Sequence, residues 1–138
     1  KKETMRYLAL DLGDRRIGVA VSDALGMIAR PVEMFERRSR KADFRHISEL
    51  IADNNVEALL VGLPLNMDGT EGQQAAWVRD YTSALAEEIS VPITLWDERL
   101  TTEEAKDIMR AQGKVPSKDW IDAVAAAVIL QSYLDAQA

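Results

Sequence analysis

The sequence contains no cysteine and a single histidine, His46. The first absence excludes disulfide frameworks, thiolate zinc sites, iron–sulfur clusters and cysteine nucleophiles. The second excludes a His-rich zinc centre and forces any catalytic triad through one residue. Hydrolytic chemistry in this chain therefore rests on carboxylates. Long apolar runs are also missing: none approaches the roughly 18 residues of a membrane span, and no charged–apolar–small signal opens the chain. Those absences give the expectation of a cytoplasmic protein that does not engage a membrane. Lys1–Thr4 reads as a polar leader or an expression remnant, with Met5 as the native start.

What remains is the composition of a globular protein. The 138 residues are 47% hydrophobic and 29% charged, enough for one core without covalent staples, and the expectation is a single domain over 5–138. The formal net charge of −6 argues against indiscriminate affinity for nucleic acid. The charge is unevenly spread, however. Residues 1–45 carry 11 Lys and Arg against 7 Asp and Glu, whereas residues 46–138 carry 6 against 16. A basic part beside an acidic part fits a phosphate-binding face next to a carboxylate cluster.

Hydrophobic periodicity gives the order β-β-β-α-β-α-β-α-α. Strands are expected at Arg6–Leu10, Ile17–Ser22, Ile28–Phe35, Ala58–Val61 and Ile93–Trp96. Pro31 removes a backbone donor and assigns the third strand to a sheet edge; the wholly apolar fourth belongs at the centre. Helices are expected at Lys41–Asn54, after a Thr70/Gln73 capping box, after a Thr101/Glu104 capping box up to Gly113, and from Asp119 to about Ala136 behind Ser117. The last helix should bury Ile121, Val124, Ala125, Val128 and Ile129. His46 falls off the apolar stripe of its helix and reads as a solvated residue. Short connections make the first strands antiparallel, and helical crossovers make the later ones parallel.

Three acidic positions stand out by context. Asp11 follows an apolar strand and precedes Gly13, Asp97-Glu98 ends another strand, and Asp122 opens an alanine-rich helix. A half-buried carboxylate in such a helix is costly unless something pairs with it. The crossovers bring the ends of the strands bearing Asp11, Val61 and Trp96 to one edge, where open α/β sheets bind ligands. Acids reaching inward there suit a pair of metal ions about 3.5–4 Å apart, and oxygen-only ligands favour Mg²⁺ or Mn²⁺. Whether Asp97 or Glu98 turns inward is left open by spacing alone. Arg15, Arg16 and Arg99 adjoin these acids and are candidates for phosphate contact. The segment Asp11–Gly18 carries neither a dinucleotide fingerprint nor a Walker lysine, and Gly62–Thr70 is a loop leading to a helix N-terminus.

Four segments in order carry a resemblance: Asp11-Leu-Gly-Asp-Arg-Arg-Ile-Gly-Val-Ala-Val-Ser-Asp23, Val61-Gly-Leu-Pro-Leu-Asn-Met-Asp-Gly-Thr-Glu-Gly72, Asp97-Glu-Arg-Leu-Thr-Thr102 and Asp122-Ala-Val-Ala-Ala-Ala-Val-Ile-Leu130. Together they resemble the YqgF/RuvX family of bacterial RNase H-like proteins. Its members are described as Holliday-junction resolvases and as nucleases maturing the 5′ end of pre-16S ribosomal RNA. The resemblance implies an RNase H-like fold, a five-stranded mixed sheet flanked by helices. It also implies a metal-dependent, two-ion nuclease in which Asp11, Glu98 and Asp122 are the catalytic, metal-binding acids. Expected partners are pre-rRNA or branched DNA, with the chain a monomer or homodimer. The fourth strand ends in Gly62-Leu63-Pro64, without the acid that the wider superfamily often carries there, so Glu98 takes that place. Two other functions share the fold: a non-catalytic RNA-binding assembly factor, and one half of an actin-like nucleotide-binding unit.

Overall fold

The computed structural model describes residues 5–111 and 120–138. Its core is a mixed five-stranded sheet in the order β3-β2-β1-β4-β5. The strands are β1 (Tyr7–Leu12), β2 (Arg16–Ser22), β3 (Ala29–Glu36), β4 (Ala58–Leu63) and β5 (Ile93–Asp97). β1 and β3 flank β2 antiparallel, whereas β4 runs parallel to both β1 and β5. This is the RNase H-like arrangement that the resemblance implies, and it agrees with the order of elements. β4 is buried at every position and sits inside the sheet. β3 lies at the edge, where Pro31 stands opposite Ala20 and the register slips at the neighbouring Val32.

Helices α1 (Arg40–Asp53) and α2 (Gln73–Ala86) cover one face. There Leu8, Leu10, Ile17, Val19, Leu59 and Val61 meet Phe44, Ile47, Val78, Tyr81 and Leu85. Helix α4 (Ile121–Gln137) covers the other face, with α3 (Glu103–Ala111) packed against it. That second core is built largely of small residues: Ala9, Ala20, Ala29, Ala126 and Ala127, with Leu60, Ile129 and Leu130. Polar bonds anchor α4 in place. Buried Gln131 accepts from the Ala29 amide at 2.9 Å and donates to the Met27 carbonyl at 3.0 Å. The Trp96 indole donates to Ser132 Oγ at 3.1 Å.

Several local expectations are corrected. Thr70 does not cap α2: Gly72 is the N-cap, and the Thr70 hydroxyl donates to Asp68 inside the preceding turn instead. Thr101 closes a 3-10 turn, and it is Thr102 whose hydroxyl accepts from the Ala105 amide at the start of α3. A hydroxyl at either position can satisfy a nearby amide, so spacing alone misplaces the cap by one residue. Ile121 is 56% exposed; Val124, Ala125 and Val128 are only half-buried. His46 is not a freely solvated residue. It is half-buried, edge-on to Phe35, with Nε2 2.6 Å from Glu33 Oε2. The expected stop at Gly113, the Ser117 cap and the Lys1–Thr4 leader lie outside the described residues. Among the described residues no helix is long and apolar enough to cross a membrane.

Candidate active site

β1 runs two residues further than its apolar stretch suggests, so Asp11 lies within the strand rather than beyond it. Alternation puts Leu10 on the α1/α2 face and Asp11 on the α4 face. Its two strand neighbours lack side chains. Asp11 pairs with Gly18 on β2, and one step past the Leu10–Val61 pair it stands beside Gly62 on β4. Each glycine makes room for one of the other acids. A Cβ on Gly18 would lie 1.9 Å from the Asp122 carbonyl oxygen, so only glycine lets the start of α4 descend onto β2. A Cβ on Gly62 would lie 2.7 Å from Glu98 Oε1 and 3.0 Å from its Cγ. The glycines are the signal in the sequence that reasoning from acids alone passes over.

Glu98 opens the 3-10 turn Glu98–Leu100 that follows β5. Its carboxyl turns inward and meets that of Asp11, while Asp97 turns outward to Arg99. The choice that spacing left open thus falls to Glu98. Burial, the neighbouring Asp11 charge and the hydrogen bond to Asp11 push the Glu98 carboxyl up to about 7. Burial also raises Asp11; accepting the Glu98 proton works against that rise, and the Asp122 charge adds to it. Each carboxyl therefore shifts the other's affinity for a proton. Among the described residues no salt bridge engages either one.

The pair lies in an open groove of about 320 Å³, lined also by Thr101, Lys106, Ala125, Val128 and Ile129. Neither Lys106 nor Thr101, read only as a helix cap, was a site candidate from the sequence. Lys106 reaches the groove from α3 while pairing with exposed Glu103 at 3.3 Å. Asp122 comes near enough for Asp11 to sense its charge but is not part of the groove lining. Its Oδ2 is buried without a hydrogen bond, and Arg16 Nε stands 3.2 Å away, too poorly aligned to donate. Among the described residues no three acids or imidazoles are gathered closely enough to hold a metal ion as they stand.

The arginines divide. Arg15 is exposed, with no ion pair among the described residues. Arg16 is turned to Asp122. Arg99 is clamped on Asp97, its Nη2 2.8 Å from Oδ2, and reaches across to the Met67 carbonyl at 3.3 Å. That clamp fixes the loop before α2 against the 3-10 turn that carries Glu98.

Comparison with known proteins follows this geometry. A family profile described as "RuvX: Holliday junction resolvase" matches residues 5–136. A protein of Thermoanaerobacter pseudethanolicus named "Putative pre-16S rRNA nuclease" is 45% identical over 136 residues, covering 96% of this chain and 98% of its own. A namesake from Anaeromyxobacter is 46% identical over 133 residues, covering 95% and 97%. Among solved structures, the RuvC protein of T. thermophilus in complex with a Holliday junction substrate superposes with a TM-score of 0.65. It is 16% identical and 96% of each chain is covered, a likeness of fold.

Proposed function

The chain belongs to the RuvX family of RNase H-like nucleases, and from that premise we propose that it hydrolyses phosphodiester bonds in structured nucleic acid with the help of Mg²⁺ or Mn²⁺. Its substrates on this reading are the 5′ end of pre-16S rRNA, branched DNA junctions, or both. The observation that carries the proposal is the Asp11–Glu98 pair, two half-buried carboxyls held in contact at the carboxyl ends of parallel strands. A purely structural role does not account for it, since a lone pair of acids costs folding energy.

The donors suit a hard divalent cation. They are all oxygen, they crowd one groove, and the unbonded Oδ2 of Asp122 stands at the adjoining helix start. Asp11 and Glu98 would hold the ion, with Asp122 as the third acid of a two-ion version of this reading. Bound there, metal supplies a nucleophilic hydroxide at neutral pH and neutralises charge on the leaving oxygen.

The chain's own residues do the rest. Asp11 and Glu98 would hold the cation as carboxylates, so its loading would depend on pH. Arg16 neutralises Asp122 and stands ready to contact a phosphate that draws it away. Lys106 brings a positive charge to the rim of the groove, and Arg15 offers an exposed one beside it. Arg99 holds the Glu98 turn in position through Asp97.

Cleavage of a pre-16S precursor and of a four-way DNA junction, each with Mg²⁺ and Mn²⁺, tests the proposal. Asp11→Asn should abolish turnover, leave substrate binding intact or tighter, and leave metal-free thermal stability unchanged or raised. Wild-type protein that binds both substrates and cleaves neither favours the passive assembly factor.

A further inference from the structure

The site edge of the sheet carries a second, cationic surface. β3 ends at Glu36, opposite Arg16, and the chain then runs Arg37-Arg38-Ser39-Arg40-Lys41-Ala42-Asp43-Phe44-Arg45 into α1. Arg37 is fixed as a tie rather than a free charge. Its guanidinium stacks on Trp77 at 4.2 Å and donates to the Gly13 carbonyl at 3.1 Å, while its amide donates to the Arg15 carbonyl at 2.7 Å. This tie joins the turn after Asp11 to the segment that leads into α1, with the Arg15 backbone against that of Arg37.

The segment has one acid of its own, and it is spent. Asp43 is 3% exposed and accepts from the Arg38 amide at 3.0 Å and from the Tyr81 hydroxyl at 3.1 Å. Nearby carboxylates are few: Asp80 pairs with Arg40, Glu33 with His46, and Glu36 and Glu88 each border one groove. Arg38, Lys41 and Arg45 are exposed and make no ion pair among the described residues. They line two adjoining grooves beside α1, of about 250 Å³ around Arg38 and about 510 Å³ around Arg40, Lys41 and Arg45. Arg40 and Lys41 also occupy the first helical turn, where the macrodipole disfavours cations. Unpaired positive charge placed where it weakens the helix points to a function outside folding.

We propose that Arg38, Lys41 and Arg45 form a phosphodiester-binding track that holds the nucleic-acid substrate beyond the carboxylate groove, with the Arg37 tie aligning the two. The proposal rests on the nuclease reading for its substrate, but its test does not depend on turnover. Binding of a fluorescent structured RNA is measured by anisotropy in chelator across a salt series, so a protein that cleaves nothing still gives an answer. The variant Lys41→Gln/Arg45→Gln is set against Arg6→Gln/Arg30→Gln, which removes the same charge at the opposite sheet edge. Each lost phosphate contact flattens the slope of log affinity against log salt by about 0.7–0.9. The track variant should therefore lose roughly 1.4–1.8 of slope and the control almost none. Its melting temperature should stay level or rise, since the Lys41 charge leaves the first turn of α1. Equal losses in both variants, or no loss in the track variant, overturn the proposal. A lower melting temperature in the track variant with unchanged RNA binding assigns those cations to structure instead.

Discussion

The two faces of the sheet solve different problems with different residues. Toward α1 and α2 the sheet presents Leu8, Leu10, Ile17, Val19, Leu59 and Val61, interlocked with Phe44, Ile47 and Tyr81. Toward α4 it presents Ala9, Ala20 and Ala29, with Gly18 and Gly62 beside Asp11. Large side chains bury the area that holds the fold together. Small ones let a helix and a turn come close enough to bring carboxylates to one strand end. Leu10 and Asp11, consecutive in β1, show the contrast at single-residue scale: one is fully buried in the larger core, the other meets the carboxyl of Glu98.

Cutting into the large-residue face should have the largest effect on stability. Leu10→Ala is expected to cost about 2–5 kcal/mol, read from the shift in urea midpoint, with cleavage per folded molecule unchanged. The small-residue face should respond in the opposite sense, to added bulk. Gly18→Ala drives a methyl group into the Asp122 backbone, which cannot swing aside, so about 1–3 kcal/mol should be lost together with activity. Gly62→Ala meets the Glu98 side chain and the tip of Ile129, side chains rather than backbone, and these can move. Stability should then change by less than about 1 kcal/mol, because alanine also restricts the unfolded chain, while cleavage falls sharply. A Gly62→Ala protein with full activity would show that Glu98 need not meet Asp11.

A smaller effect follows from titration. Glu98 moves from its ordinary 4.5 in the unfolded chain to about 7 in the folded one. Between those values the folded chain holds more protons, so metal-free stability should fall as pH rises through that window. Melts in chelator from pH 5 to 8 should show the decline in wild type and a flatter profile in Glu98→Gln. Metal affinity should climb over the same range, because the ion must displace a proton. An identical profile in both proteins would place the titrating group elsewhere.

The sheet was legible because its strands are short apolar runs whose connections allow one pairing each. Pro31 marked the edge and the uninterrupted apolar run of β4 marked the centre, and both positions hold. Asp11 and Glu98 were legible as acids at strand ends. What the sequence could not convey was rotation: whether Asp97 or Glu98 turns inward depends on the 3-10 turn, which a run of three residues does not announce. The same holds for the helix caps, where Thr102 rather than Thr101 reaches the free amide. The half-burial of Asp122 was legible from its place in an alanine-rich helix. That its partner would be Arg16 is a long-range fact, set by α4 crossing β2 over Gly18. Lys106 escaped notice because a lysine on an exposed helix looks like solvated surface until the helix is packed.

The direct test is cleavage of a structured pre-16S precursor with Mg²⁺ or Mn²⁺ by wild type, Asp11→Asn and Glu98→Gln, in parallel with Mn²⁺ titration calorimetry on the same preparations. Wild type should bind Mn²⁺ and cleave, while both variants remain folded, bind RNA, and lose both metal uptake and turnover. Cleavage that persists in the two variants at the wild-type rate would contradict the assignment of the Asp11–Glu98 pair as the hydrolytic centre.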